Sequence, residues 1–180
     1  VQTCALPICI QIAFAAGGLA DVLARAVTDR VTQTIGQPFI LENKPGAGGN
    51  LAMESVVRSA PDGYTLLMIG PGLTINGSLY KKLNFDPLKD LTAISAIAIG
   101  PYAVYVSSSI PVNNAAELIA YAKARPGQLN YASVGIGSGG HLSGVLFALA
   151  AGIEMTHVPY KGIQAIAPDL VSGQVHMVFN

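Results

Sequence analysis

Apolar residues in the first seventy positions alternate between strand-like runs and helical spacing. The clearest helical pattern covers 19–35 and begins with Leu19, Val22 and Leu23. Gly36 follows where a left-handed C-cap is expected. The other elements predicted here are strands at 8–14, 39–42 and 64–70 and a helix at 51–60. This β-α-β-α-β order favours an α/β fold built on a parallel sheet.

The middle of the chain carries a weaker pattern. The stretch after the third strand is predicted as a loop, which contains Thr74, Asn76 and Tyr80. The longest uncharged interval then lies between Asp90 and Glu117. It reaches nowhere near about 18 continuous apolar residues, and Gly100-Pro101 interrupts it. We therefore expect two buried strands in this interval rather than a transmembrane helix.

The alternation between strand-like runs and helical spacing resumes in the last third of the chain. A helix is predicted at 115–124, with Asn113-Asn114 as its cap. The elements predicted after it are strands at 129–134, 155–160 and 175–179 and helices at 141–151 and 164–172. The pattern divides into two α/β units, 1–98 and 99–180. No closing helix follows the last strand, so we expect a fragment of a longer fold.

One stretch, 129–142, combines three features that suit an anion. A short strand leads into a glycine-rich turn, and an apolar helical pattern starts near His141. Glycine lets the backbone approach a ligand closely, and a helix N-terminus offers unpaired N–H groups with partial positive charge. The stretch therefore predicts capture of a phosphate or a carboxylate.

The same turn spells G-x-G-x-x-G with Gly135, Gly137 and Gly140. A dinucleotide site also needs an acidic residue about 20 positions on, at the end of the next strand. Glu154 precedes that strand and Asp169 lies well beyond it. The dinucleotide interpretation is not favoured. An α/β enzyme that binds a nucleotide or phosphorylated substrate at the loop from Gly135 to Gly140 stays as the alternative.

Composition narrows the possible partners. The chain has 51% hydrophobic and 11% charged residues and a formal net charge of zero. Nucleic acid is not an expected partner, because no basic patch is visible. Cys4 and Cys9 fit neither a zinc site nor a disulfide framework, and we interpret them as incidental thiols. The opening residues also lack the pattern of a secretory signal peptide.

Other polar residues give no catalytic or metal motif. His141 and His157 have no Cys or acidic partner at a ligand spacing, so His141 is expected in the first helical turn and His157 in the core. The serines form no G-x-S-x-G elbow; they are expected to bind a ligand or cap the helix. The serines considered are Ser133, Ser138 and Ser143. Lys44 and Lys161 are surface cations or attract a ligand.

Six motifs follow one another in an order that resembles a known family. They are FAAGGLAD (14–21), ENKPGAGGN (42–50), APDGYTLL (60–67), ELIAYAK (117–123), YASVGIGS with HL (131–142) and HVPYKG (157–162). Together they resemble the Bug/TctC family, the extracytoplasmic solute-binding proteins of tripartite tricarboxylate transporters. The likeness extends over nearly the whole chain, from about Ile10 to Phe179.

The resemblance implies a fold and a function. The fold would be a two-lobed, periplasmic-binding-protein-like α/β fold (type II, Venus-flytrap), truncated at the carboxyl end, with lobes 1–98 and 99–180. The protein would be a periplasmic receptor and not an enzyme. It would use no cofactor or metal, hold a small carboxylate in the cleft between its lobes and deliver it to membrane permease subunits. We assume a monomer that does not insert into the membrane.

The resemblance also implies which residues bind the ligand, through backbone groups and hydroxyls of the two turns. The residues expected in the first turn are Phe14, Gly17, Gly18, Ala20 and Asp21. The residues expected in the second turn are Ser133, Gly135, Gly137, Ser138 and His141. Asn76 and Tyr160 are further expected positions. Since the family continues past Asn180 into the first lobe, an apolar face of that lobe is expected to be uncovered.

Overall fold

The computed structural model describes residues 6–180; Cys4 lies outside the described part. Contacts divide the chain into two compact units, Val1–Ala98 and Ile99–Asn180, here called the first and second units. Each is described by itself. Within residues 6–180, no helix has the length and apolarity needed to cross a membrane.

The first unit contains a three-stranded sheet in the order β2-β1-β3. Its strands are β1 (Ile8–Ile12), β2 (Phe39–Asn43) and β3 (Thr65–Met68). Both pairings are parallel, so the predicted parallel sheet is confirmed. The helices are α1 (Leu19–Ile35), α2 (Asn50–Val57) and α3 (Gly72–Leu79). Gly36 ends α1 as predicted, with φ 70° and its N–H donating to Thr32 O at 2.8 Å.

Helix α3 corrects the prediction of a loop around Asn76. Its sequence, GLTINGSL, holds two glycines and two β-branched residues, which have low helix propensity. Asn76 is completely buried and its amide donates to Gly48 O at 3.0 Å and to Asn50 Oδ1 at 2.9 Å. These tertiary contacts accompany a helix that local propensity does not predict.

The second unit contains a four-stranded sheet in the order β4-β7-β5-β6. The strands are β4 (Val104–Val106), β5 (Leu129–Ser133), β6 (Met155–Pro159) and β7 (Met177–Phe179). Only β4 runs antiparallel to its neighbour. The helices are α4 (Ala115–Lys123), α5 (Gly139–Ala151) and α6 (Ile163–Ser172). The main core cluster packs residues of β5, β7 and α4, including Leu118, Leu129, Tyr131 and Met177.

The prediction of two buried strands between Asp90 and Glu117 is wrong. Only β4 forms in this interval; it is short, it lies at the sheet edge, and its first two residues are exposed. Residues 92–103 are exposed throughout, and Ile99 is 96% exposed. An uncharged composition alone did not decide burial, because a strand also needs a neighbour to satisfy its backbone groups.

Candidate functional site

The turn between β5 and α5, residues 133–141, is here called the second-unit turn. Gly135 and Gly137 have φ of 123° and 86°, a backbone region that other residues rarely adopt. Ser138 is the N-cap of α5: its Oγ accepts from His141 N at 3.3 Å, and its own N–H donates to Gly135 O at 3.1 Å. The sequence therefore builds a capped helix start directly after a buried strand.

Two histidines, His141 and His157, contact residues of this turn. Nδ1 of His141 accepts from Gly137 N at 3.3 Å. The His141 ring lies 4.4 Å from the His157 ring, centroid to centroid, and Nε2 of His157 lies 2.7 Å from Ser133 Oγ. Ser133 Oγ donates to Gly135 O at 3.1 Å, so it accepts from a proton on His157 Nε2. The network thus assigns a proton to Nε2 of His157 and none to Nδ1 of His141, an arrangement compatible with a neutral form of each ring.

Burial favours these neutral forms. The pKa of His157 is lowered to about 4, first by burial and then by the nearby His141. Burial also lowers the pKa of His141. Within the described part of the chain no three His, Cys, Asp or Glu side chains come together as a metal site. Near neutral pH the turn therefore presents dipoles rather than fixed charges.

The glycines at the start of α5 have a packing role. A Cβ on Gly140 would overlap the carbonyl oxygen of Phe179 in β7, and a Cβ on Gly144 would overlap the Tyr131 ring. A Cβ on Gly139 would overlap the Tyr102 hydroxyl. The third glycine of G-x-G-x-x-G therefore lets the helix approach the sheet, and this requirement is independent of any nucleotide.

Internal bonds already use most polar groups of the second-unit turn. Gly135 N–H donates to Ser133 Oγ at 3.2 Å, and the amides of Gly137, Ser138 and His141 are also bonded. Gly139 and Gly140 are the first two residues of the helix, so their N–H groups have no acceptor within it. An incoming anion would meet these two amides and the helix dipole.

The first-unit turn, residues 14–21, is fastened around a buried carboxylate. Asp21 is 4% exposed and accepts from Gly17 N at 2.9 Å, from Arg25 Nη2 at 3.0 Å and from Asn43 Nδ2 at 3.1 Å. Asn43 also donates to Phe14 O at 3.1 Å. The Arg25 hydrogen bond, followed by that of Gly17 N–H, lowers the pKa of Asp21 to about 2. Asp21 is therefore an ionised structural anchor of this turn.

Helix α1 starts without a side-chain cap. Gly18 is its N-cap and offers no side chain, and Val22 N–H makes the first helical bond, to Gly18 O at 3.1 Å. Leu19 and Ala20 are the first two residues of α1, so their N–H groups have no acceptor within the helix. The open amides of this turn therefore lie one to two residues beyond the glycines.

Asn76 and Tyr160 are held by other parts of the protein. Both Asn76 amide hydrogens are used in the bonds to Gly48 and Asn50, while its Oδ1 is buried without a partner in residues 6–180. The Tyr160 hydroxyl donates to Asp169 Oδ2 at 2.6 Å, a bond that raises the pKa of Tyr160 to about 12. Tyr160 N–H donates to Ser133 O at 2.8 Å, which ties it to the second-unit turn.

The expected residues thus fall into groups. Five form the second-unit turn, with Tyr160 attached through its backbone; five form the first-unit turn; and Asn76 holds a separate glycine-rich turn. Sequence reasoning missed Arg25 and Asn43, and it placed His157 in the core without identifying its partners. The spacing of Asp21 and Arg25, four residues apart on one helix, was the available signal for that pair.

Taken together, these units have the α/β character and anion-suited helix starts of small-molecule receptors. Residues 23–180 match the family described as "Tripartite tricarboxylate transporter family receptor" (TctC). The chain belongs to this family. It is 39% identical over 173 residues to the "UPF0065 protein in gbd 5'region" of Cupriavidus necator, a match covering 96% of this chain and 52% of the relative.

Solved structures agree with this family. The chain resembles Rpa4515 of R. palustris with adipate at a TM-score of 0.91 and 38% identity, covering 97% of this chain and 58% of that one. It also resembles MatC (Rpa3494) from Rhodopseudomonas palustris with bound malate, at a TM-score of 0.85 and 31% identity, covering 97% and 60%. The chain therefore has the fold of the matching part of these binding proteins and spans about half the length of the relatives it matches.

Proposed function

We propose that this chain belongs to an extracytoplasmic solute-binding protein that captures a small carboxylate for a tripartite tricarboxylate transporter. The observation that carries the proposal is the second-unit turn, where a capped helix start leaves the amides of Gly139 and Gly140 open next to neutral side chains. Membership of the TctC family supplies the transport role. We further propose that units 1–98 and 99–180 are two lobes of this receptor.

A dicarboxylate is the ligand class we favour. Two structures that this chain resembles hold adipate and malate, which are both dicarboxylates. Neutral donors suit such ligands, because a carboxylate accepts several N–H bonds and helix starts favour negative charge. The expected contacts are those of the turns 14–21 and 133–141, of which the open amides of Leu19, Ala20, Gly139 and Gly140 supply the donors.

A periplasmic location, delivery to permease subunits and a monomeric state complete the proposal. The periplasm is supported by the similarity to "periplasmic binding protein BugD", at 31% identity and a TM-score of 0.84. The permease is supported by the description of the matching family. The enzyme alternative is not favoured: the family and the similar structures are transport proteins, and the packing of Gly140 against Phe179 accounts for the last glycine of the motif.

A thermal-shift screen tests the proposal. It compares mono-, di- and tricarboxylates of three to eight carbons with NADH and ATP, using the chain in the full length that its gene encodes. A ligand at a hundred times its Kd stabilises a folded protein by about 2.7 kcal/mol, visible as a shift of several degrees. We expect a dicarboxylate to raise the melting temperature and both nucleotides to leave it unchanged. A shift with nucleotides alone would contradict the receptor function.

A further inference from the structure

His157 lies outside the turn but contacts it at two places. It sits on β6 directly opposite Tyr131 of β5 in the parallel register. Its Nε2 lies 2.7 Å from Ser133 Oγ, and its ring centroid lies 4.4 Å from that of His141 and 5.0 Å from that of Tyr131. Sequence reasoning gave it only a core role, yet two of these contacts, those with Ser133 and His141, are with the second-unit turn.

These contacts join both ends of the second-unit turn to one side chain. Ser133 begins the turn and shares hydrogen bonds with both backbone groups of Gly135. His141 ends it and holds the N–H of Gly137. The two glycines with positive φ are therefore each fixed by a side chain that touches His157. Without His157, Ser133 would lose a bond and the His141 ring would lose a packing partner.

We propose that His157 is a positioning residue of the carboxylate site, which fixes Ser133 by a hydrogen bond and His141 by ring contact, so that the turn keeps the first amides of α5 directed towards the anion. The location of the site rests on the proposed function. The mechanical part, the fixing of the turn, is independent of any ligand. This role belongs to His157 and not to His176, because the His176 ring hydrogen-bonds to Asn130 instead.

The groups around His141 and His157 make the fixing of the second-unit turn sensitive to acid. The Tyr131 ring of β5 contacts the His157 ring, Ser133 Oγ bonds to His157 Nε2, and Phe179 of β7 packs against the Tyr131 ring. In the described part of the chain no carboxylate or cationic side chain is recorded against either ring. A proton on His141 Nδ1 would turn this acceptor into a donor facing Gly137 N–H, with no carboxylate to compensate. The turn should then loosen as the pH falls.

The ligand-free test follows hydrogen–deuterium exchange of amides 135–141 at pH 7.5. His157→Phe keeps an aromatic ring but removes the bond to Ser133, and we expect exchange of these amides to become at least tenfold faster. His157→Gln places an amide N–H near the position of Nε2 and should restore exchange to within twofold of wild type. His176→Gln is the matched control and should also stay within twofold. Unchanged exchange in His157→Phe would overturn the proposal.

A second variant keeps the test decisive if His157→Phe does not fold. Ser133→Ala removes the same hydrogen bond from the other side, and it should accelerate exchange of the same amides at least tenfold. Nitrogen-15 correlation spectra of the imidazoles provide an independent readout, since they show which ring nitrogen carries the proton. We expect a proton on His157 Nε2 and a bare Nδ1 on His141. A proton on His141 Nδ1 at pH 7.5 would contradict the network.

The ligand test measures the Kd of adipate and malate from pH 7.5 to 5. We expect His157→Phe to weaken binding about tenfold at pH 7.5, with His157→Gln close to wild type. Protonation of the ligand affects all variants equally. The ratio of their Kd values therefore reports only the effect of pH on the protein. If wild type binds neither acid, the proposed function fails while the exchange test still decides the role of His157. Equal Kd values for wild type and His157→Phe would overturn the positioning role in binding.

Discussion

The turn before α1 is fastened by a buried charge, whereas the turn before α5 is fastened by neutral side chains. Asp21 holds the first-unit turn through Gly17, Arg25 and Asn43. Ser133, His141 and His157 hold the second-unit turn without any ionised group. The difference shows that a glycine-rich helix start can be made rigid in two ways, and that the two ways should respond differently to mutation and to pH.

The units also differ in how they bury apolar residues. Two clusters of buried apolar side chains lie in the second unit, one on each side of the central strands. The buried apolar residues of the first unit are Ile12, Ala13, Ala24, Ala52 and Met53. Large apolar side chains are exposed on helices of both units: Leu19 in the first and Leu149 in the second are each 74% exposed. Hydrogen bonds around Asp21 and Asn76 therefore carry a larger share of the order in the first unit.

The largest effect is expected from removing the charged anchor. Asp21→Ala should lower the free energy of unfolding by about 3 kcal/mol, because buried charge-assisted hydrogen bonds are lost and the donors of Gly17 and Asn43 are left unpaired. Chemical denaturation measures the change. Asp29→Ala, on an exposed position of the same helix, is the control and should change stability by less than about 0.5 kcal/mol. Equal effects would show that Asp21 is not an anchor.

Overpacking of the second-unit turn should have the next largest effect. Gly140→Ala places a methyl group against the Phe179 carbonyl and should destabilise the protein by about 2 kcal/mol. Gly100→Ala is the matched control, since no atom lies within 4 Å of its added Cβ. A Gly140→Ala protein as stable as the control would mean that α5 can move away from β7 at little cost.

Acid should weaken the two turns in separate pH ranges. The pKa of His157 is lowered from 6.5 to about 4, so the unfolded chain takes up the proton first. This contribution is fully present above pH 6.5 and is lost towards pH 4; we expect a loss of about 1–2 kcal/mol after allowing for solvent screening. His157→Gln should remove this loss. Unfolding followed at pH 7, 5.5 and 4.5 measures it, and an unchanged pH profile in the variant would contradict the assignment.

The first-unit turn should keep its anchor through that range. The pKa of Asp21 is lowered from 3.8 to about 2, so its contribution is present above pH 3.8 and is lost as the pH falls through 2. Asp21→Asn should therefore leave the pH dependence between 6.5 and 4.5 as in wild type. If this variant removed that dependence, the two turns would not be separable by acid.

The smallest effect is expected at the helix cap. Ser138→Ala removes the acceptor for His141 N–H and should cost about 1 kcal/mol. Ser143 lies on the same helix beyond the cap, so Ser143→Ala is the control. It should change the free energy of unfolding by less than about 0.5 kcal/mol. The first-unit turn has no equivalent, because its N-cap is Gly18. A loss as large as that of Asp21→Ala would show that the cap dominates the second-unit turn.

Local signals predicted the regular elements well. Periodicity and a terminal glycine located α1 and its cap at Gly36, because both depend on neighbouring residues. The helix at Asn76 was missed, because its buried amide bonds to residues 26 and 28 positions away. The exposed stretch 92–102 was missed for the opposite reason, since its apolar sequence forms no strand.

The turns were predictable, but the directions of their polar groups were not. Glycine spacing and a following helix pattern located the second-unit turn, and the family resemblance indicated the first. The contact between Ser133 and His157 depends on the register of β5 against β6, which spacing of 24 residues does not reveal. Asp21 was recognised near a helix start, but its burial against Asn43 requires the pairing of β1 with β2.

Nuclear magnetic resonance titration with adipate and malate, with their dimethyl esters as uncharged controls, decides whether the second-unit turn captures a carboxylate. We expect saturable shifts for the free acids, largest at the amides of Gly139 and Gly140, and none for the esters. Equal shifts with acid and ester, or no shift at these two amides while binding occurs elsewhere, would contradict carboxylate capture at the second-unit turn.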